Sequence, residues 1–209
     1  MFDVGAQIGQ YTLFSAKIGR KVVTVEPFYD NILRIHKAAV LEKLQNNITL
    51  VRNAVSDKAN EIKRLYENKI NIGGQGIIND RRKFNESDMK KDKYLVKTIV
   101  FNDLVEYLPK RDDGKHFQKA IMKIDIEGFE PFAFEHADKL FDAIDVQVIF
   151  MEWGNLPPST DRHSNVVKMI NFLLGRNLVP RGDGDKVLKK EDWKSWPWDI
   201  IWVHSNLNI

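Results

Sequence analysis

Three short segments place glycines and carboxylates where they could hold a ligand. The first is Asp3-Val4-Gly5-Ala6-Gln7-Ile8-Gly9. Glycines let a backbone turn tightly and approach a ligand closely. A helix that starts after such a turn offers unpaired N–H donors and the positive end of its dipole. Both favour an anionic group, such as the carboxylate of an amino-acid moiety. Asp3, just before the turn, can accept hydrogen bonds from an ammonium. The same Gly-x-x-x-Gly pattern also occurs in ordinary strand-to-helix turns. It lacks the middle glycine of the Gly-x-Gly-x-x-Gly dinucleotide fingerprint, which disfavours an NAD-dependent oxidoreductase.

The second segment is Glu26-Pro27. Glu26 lies 23 residues after Asp3, near the spacing of about 20 residues expected of a carboxylate that binds ribose hydroxyls. An acceptor-only carboxylate can take both hydroxyl hydrogens. Alone, Glu26 reads as well as an acid at the start of the next helix. Together with the first motif, the cofactor reading is the stronger one. The third segment is Lys123-Ile124-Asp125-Ile126-Glu127-Gly128-Phe129-Glu130. Asp125 and Glu127 can position a substrate or act as general base; helix capping by the same acids is the competing reading. Glu152, at the end of the following strand, is a third candidate base.

Such residues need a frame that brings strand ends together, and the hydrophobic pattern supplies one. Phe2-Asp3-Val4 reads as the end of a strand, Gly9 to Ile18 as a helix closed by Gly19, and Lys21 to Val25 as a buried β-branched strand. A helical period from Tyr29 to Leu44 follows, then a strand at Ile48–Val51. This is the βαβαβ pattern of a parallel sheet with right-handed crossovers. The second half resumes it, with strands at Ala120–Ile124, Val146–Met151 and Asp199–Val203 and helices at Pro131–Phe141 and Val166–Leu174. Between the halves, Ile62–Tyr66 and Leu95–Ile99 could be strands. Asn71 to Gly76 must be a loop, either a plain connection or a lid over the pocket. Asn79–Lys93 carries ten charged residues in fifteen and reads as a solvated loop. The fold class is therefore α/β, a Rossmann-like doubly wound and mostly parallel sheet. In such a sheet, ligands bind beyond the carboxyl ends of the strands, where strand order reverses. All three motifs fall at such ends.

Composition narrows the function further. The chain has 209 residues and no visible domain boundary, which fits one domain over 1–209. It has no cysteine, which excludes a disulfide framework, a thiolate zinc site and a cysteine nucleophile. The formal net charge of +3 is too small to imply nucleic-acid binding. The five histidines show no ligand spacing, and a divalent ion between Asp125 and Glu127 is the lesser reading. No apolar stretch is long enough to span a membrane. Met1-Phe2 runs at once into the first motif, so the first strand is expected to be truncated and an N-terminal piece to be missing; with a complete N-terminus, the chain would be cytoplasmic. The tryptophans near the C-terminus read as core and edge packing before they read as a stacking platform.

In this order the motifs resemble the FkbM-type methyltransferase family. Its Asp-x-Gly-Ala-Asn-x-Gly, Glu-Pro, Ala-Val-Ser-Asp and Ile-Asp-x-Glu-Gly segments correspond to Asp3–Gly9, Glu26-Pro27, Ala54-Val55-Ser56-Asp57 and Ile124–Gly128, with Gln7 in place of the Asn. The resemblance spans about residues 2 to 153 and implies the class I methyltransferase fold with S-adenosylmethionine (SAM) as cofactor. It implies transfer to an oxygen, often of a sugar or other small molecule. By position, Asp3, Gly5, Ala6 and Gly9 would hold the methionine end of the cofactor. Glu26 and Pro27 would hold its ribose, and Asn53 and Ala54 would border its adenine. Asp125 would face the methyl-transfer region, and a hydroxyl acceptor would need a base, for which Asp125, Glu127 or Glu152 could serve. The alternative is a non-catalytic binding module that keeps the methyltransferase fold.

Overall fold

The computed structural model describes residues 1–67, 74–78, 80 and 82–207. Its main sheet has seven strands. In chain order these are β1 (Phe2–Val4), β2 (Val22–Val25), β3 (Ile48–Val51), β7 (Lys119–Ile124), β8 (Asp145–Glu152), β9 (Leu178–Arg181) and β10 (Asp199–His204). A smaller sheet takes β4 (Ala54–Val55), β5 (Ile62–Arg64) and β6 (Leu95–Ile99). The order across the large sheet is β3-β2-β1-β7-β8-β10-β9. The first five of these run parallel, and β10 pairs antiparallel with both β8 and β9. From β1 the chain winds outward through β2 and β3, then returns to place β7 on the other side of β1. Strand order therefore reverses between β1 and β7, where a doubly wound sheet opens a crevice.

The central strands are apolar because helices cover them. β2 is buried at all four residues, Val-Val-Thr-Val, as expected of a parallel strand covered on both faces. α1 (Gln10–Lys17) and α2 (Tyr29–Leu41) connect the first three strands. α2 buries Asn31, Ile35 and Ala39, one residue per turn on a single face. α6 (His163–Gly175) likewise buries Val166, Met169, Ile170 and Leu173 against the core of β7 and β8.

Three expectations change. Pro131–Phe141 is not one helix: α4 (Glu130–Ala133) gives way to a 3-10 turn at Phe134–His136, and α5 (Asp138–Ala143) starts afresh. Asn102 causes the restart, because its Oδ1 accepts from the Lys139 and Leu140 N–H groups in the first turn of α5. The charged stretch 79–93 is not loop throughout. Glu86–Met89 forms a helical turn, α3, under a reciprocal capping box of Asn85 and Asp88. Strand β9 escaped the hydrophobic pattern because Pro180 sits inside it, and an edge strand is where a proline can do so. Among the described residues, no helix is long and apolar enough to cross a membrane.

Candidate active site

Gly5 turns the chain out of β1 with φ of +77°. A Cβ there would stand 1.8 Å from the backbone carbonyl oxygen of Asp125. The turn after β1 and the turn after β7 are thus packed backbone to backbone, which only glycine permits. The Gly5 and Ala6 N–H groups donate to the Val25 carbonyl at 2.9 and 3.2 Å, tying the turn to the end of β2. Gly9, also left-handed at φ +85°, is the N-cap of α1, and among the described residues no side chain caps that helix.

Glu26 leaves the end of β2 and is only 3% exposed. Its Oε2 accepts from the Gln7 N–H at 2.8 Å, and its Oε1 from Phe28 N–H at 2.9 Å and Asn31 Nδ2 at 3.3 Å. Burial pushes its carboxyl up to about 7, against the pull of those three donors and of Lys123. The donors favour the anion and the surroundings disfavour it, so the group sits near neutrality.

Across the crevice, the turn after β7 holds Glu127 at φ +57° and Gly128 at φ +86°. Glu130 braces it: Oε1 accepts from the Ile126 N–H at 2.8 Å. Glu130 is wholly buried, and its Oε2 has no partner among the described residues. Burial raises its carboxyl to about 8, with the charges of Asp125 and Glu152 adding to the effect. Glu127 and Glu152 are also raised, each first by burial and then by the charge of Asp125. Glu152, at the end of β8, accepts from Asn155 Nδ2 at 2.6 Å and from Trp198 Nε1 at 3.0 Å.

These loops border a small cavity, with room of about 40 Å³ for water-sized molecules, beyond the ends of β1, β2, β3 and β7. Of the residues singled out from sequence, Gly5, Glu26, Pro27, Asn53, Ala54, Asp125 and Glu127 line it. Asp3 does not. It is buried within β1, where Oδ2 accepts from Thr12 Oγ1 at 2.6 Å and Oδ1 has no partner among the described residues. Ala6 and Glu152 face a wider adjoining groove over β7, β8 and β10 that also takes in Gln7 and Asp125. Gly9 packs instead on Ile35 of α2. The expected Asn71–Gly76 loop contributes Gln75, which lines the cavity; Asn71, Ile72 and Gly73 lie outside the described residues. Among the described residues, no group of three His, Asp or Glu side chains is placed to hold a metal ion.

Two residues gain importance that sequence reasoning did not give them. Lys123 donates to the Gly5 carbonyl at 2.9 Å and pairs with Asp125 at 3.3 Å, with only 13% of its side chain exposed. A lysine inside an otherwise apolar strand was the available signal, because a buried cation needs partners. The other is Trp198. Trp153, Trp193, Trp196 and Trp202 form a buried cluster, as the packing reading expected, whereas Trp198 is 60% exposed beside Glu152.

Comparison with known proteins agrees with this frame. No curated protein matches the chain. Among solved structures, the fold is similar to that of the methyltransferase FkbM from Methylobacillus flagellatus KT, at 14% identity with a TM-score of 0.52. The alignment covers 97% of this chain but only 42% of that protein, so the chain spans about two-fifths of the relative's length. An rRNA methylase from Streptococcus thermophilus aligns at 9% identity over 97% of this chain and 84% of its own, with a TM-score of 0.46. The precorrin-6y C5,15-methyltransferase from Geobacter metallireducens GS-15 aligns at 12% identity over 97% and 78%, with a TM-score of 0.45. The sequence model of the methyltransferase FkbM domain matches residues 3–179, and the chain belongs to that family of methyltransferases.

Proposed function

We propose that residues 1–209 form one SAM-dependent methyltransferase domain that methylates an oxygen of a small-molecule or glycan acceptor. The observation that carries this reading is the convergence of three strand ends on one cavity: the Gly5 turn, the Glu26 carboxylate and the Asp125–Gly128 turn. Membership of the family makes SAM the methyl donor against which the cavity is judged. The residues fit that group. Glu26 lines the cavity and keeps acceptor capacity on Oε2 for a ribose hydroxyl. Asn53 and Ala54 stand one strand further along, suited to bordering an adenine. The uncapped start of α1 suits a carboxylate. Asp3 would act one step removed, through Thr12 and the turn it anchors.

When bound, the cofactor supplies an electrophilic methyl on a sulfonium. The chain's own part is alignment, which can be worth a large share of the barrier in an in-line displacement, and proton removal. A hydroxyl acceptor must lose its proton as its oxygen bonds to the methyl and the carbon–sulfur bond breaks. Asp125, Glu127 and Glu152 supply carboxylates for that proton; for Glu127 and Glu152, burial moves the pKa toward the neutral range where a general base works best. The modest charge of +3 favours a small acceptor over a nucleic acid. Isothermal titration with S-adenosylhomocysteine (SAH) tests the reading: the chain should bind it, and Glu26→Ala should abolish binding without unfolding. A folded protein that binds no SAH would overturn it, and would favour a module that retains the fold without the activity.

A further inference from the structure

The residues at the strand ends suit the cofactor, but the space between them is too small to hold it. The cavity has room of about 40 Å³ for water-sized molecules, whereas pockets that bury a ligand of this size measure about 300–1,000 Å³. The wider groove shares Gln7 and Asp125 with the cavity, yet it does not reach Glu26, Asn53 or Ala54. The ribose and adenine end therefore has no room until something moves.

Most of the walls are fixed. The turns after β1 and β7 are packed backbone to backbone at Gly5 and Asp125. Glu26 is buried under three hydrogen bonds. Ala54 is buried in β4, which pairs with β6. The exception is the strap formed by residues 74–78. It places Gln75 and Ile77 in the cavity wall. Its Gly76 lies against the turn after β7, where a Cβ would stand 3.0 Å from the Cβ of Glu127. The strap is tied antiparallel to the end of β5 by a single bridge, Leu65 to Ile77. Two hydrogen bonds flank that bridge: the Tyr66 N–H donates to the Gly76 carbonyl at 2.8 Å, and the Ile78 N–H to the Arg64 carbonyl at 3.0 Å. Ile77 adds packing against Phe28, Ala54, Leu65 and Val96. β5 is itself an edge strand of the smaller sheet. Pairing at such an edge opens at far lower cost than pairing in the middle of the large sheet.

We propose that residues 74–78 are a gate over the cofactor cavity. They seat on Glu127 while the cavity is empty, swing outward to admit SAM, and then rest on the bound cofactor through Gln75 and Ile77. This rests on the methyltransferase reading above and adds two cofactor contacts and a conformational step to its site. Because Gly76 seats on Glu127, one movement uncovers the cavity and that carboxylate together. The cofactor therefore enters before an acceptor can use Glu127.

A disulfide tests the gate directly. The chain has no cysteine, so an introduced pair is the one group in it that a disulfide reductant acts on. Leu65 and Ile77 are the non-hydrogen-bonded pair of their bridge. The Cα atoms of such a pair lie about 4.5 Å apart, within the span of a disulfide. The Leu65→Cys/Ile77→Cys protein is titrated with SAH when oxidised and again when reduced. The oxidised protein should bind SAH at least about tenfold more weakly, because its open state is no longer populated, and reduction should restore binding. Equal affinity in the two states overturns the proposal. Hydrogen exchange on the parent protein, free of ligand, checks the same point without a substitution. The Tyr66 and Ile78 amides should exchange at least about a hundredfold faster than the Val23 amide, which donates to the Met1 carbonyl between β1 and β2. Equal protection of all three amides also overturns the gate. A parent protein that binds no SAH overturns the methyltransferase reading instead, and its own titration reports that separately.

Discussion

The backbone N–H of Gln7 donates to the Glu26 carboxylate at 2.8 Å, so the glycine turn after β1 and the carboxylate after β2 are a single bonded unit. Gln7 adopts φ +55° to do this. That left-handed geometry is unfavourable for a side chain with a Cβ, and asparagine or glycine tolerates it better. Gln7→Asn is expected to keep the bond, relieve strain and raise stability by about 0.5–1 kcal/mol. Chemical denaturation of the two proteins measures it; a destabilised Asn variant would show that the Gln7 side chain makes a contact worth more than the strain.

Glu26 should make cofactor affinity depend on pH. Its carboxyl lies at about 7 because burial outweighs three donors and Lys123. A ribose hydroxyl needs the charged, acceptor-only form. SAH should therefore bind progressively more tightly as pH rises from 5.5 toward 7 and level off above that. The change approaches about tenfold per pH unit on the acid side of the transition. Glu26→Gln should bind weakly and flatten the profile. Titrations at five or six pH values distinguish this from a general loss of fold at low pH.

Lys123 links both loops and sets the charge balance around them. It is the cation that lowers Asp3, Glu26 and Glu127 against burial. Lys123→Met keeps the buried stem and removes the charge. The midpoint of the SAH-binding profile should then move to higher pH, because Glu26 loses a charge that favours its ionised form. An unmoved midpoint, with binding merely weaker, would reduce Lys123 to its bond with the Gly5 carbonyl.

Gly5→Ala is expected to be the most damaging single change at the site. The new Cβ would meet the Asp125 carbonyl oxygen at 1.8 Å, and the residue would carry φ of +77°. Both turns must then move apart, at a cost of about 2 kcal/mol or more in stability. Thermal melting with and without SAH should show a lower midpoint and no stabilisation by the ligand. Gly19→Ala offers a control, with the same sign of φ and nothing within 4 Å of its Cβ.

The contrast between Gly5 and Asp3 shows what could be read from sequence. Gly5, Glu26 and Asp125 were legible because strand ends in a parallel sheet face the crevice, and residue spacing finds strand ends. Asp3 lies on β1 two residues before Gly5, yet its side chain turns into the layer of α1 and binds Thr12, and no spacing rule gives a side chain's direction. Trp198 was hidden for a different reason. It lies beside four other tryptophans in sequence or in space, and only the packing of Gly154 against its ring separates the exposed member from the buried ones. The broken helix at Phe134–His136 depended on Asn102, a partner 36 residues before Asp138, where its bond ends.

Glu130 should leave a signature in stability rather than in binding. Its carboxyl is raised to about 8 from an ordinary value of 4.5, chiefly by burial. Between those values, the folded protein holds a proton that the unfolded chain releases. Stability from this group is therefore complete below pH 4.5 and is lost as pH rises through 8, with a slope approaching about 1.4 kcal/mol per pH unit while it alone titrates. Glu130→Gln keeps an oxygen for the Ile126 N–H and cannot ionise, so its stability should fall less than the parent's between pH 6 and 9. Glu130→Met removes that oxygen as well. It should cost about 1–3 kcal/mol at every pH, because the Ile126 N–H is left without its acceptor. Urea denaturation of the three proteins at pH 6, 7.5 and 9 separates the two effects. Parallel pH curves for the parent and Glu130→Gln would mean that Glu130 is ionised in the folded protein, and that the turn holding Asp125 and Glu127 carries one more negative charge than its burial implies.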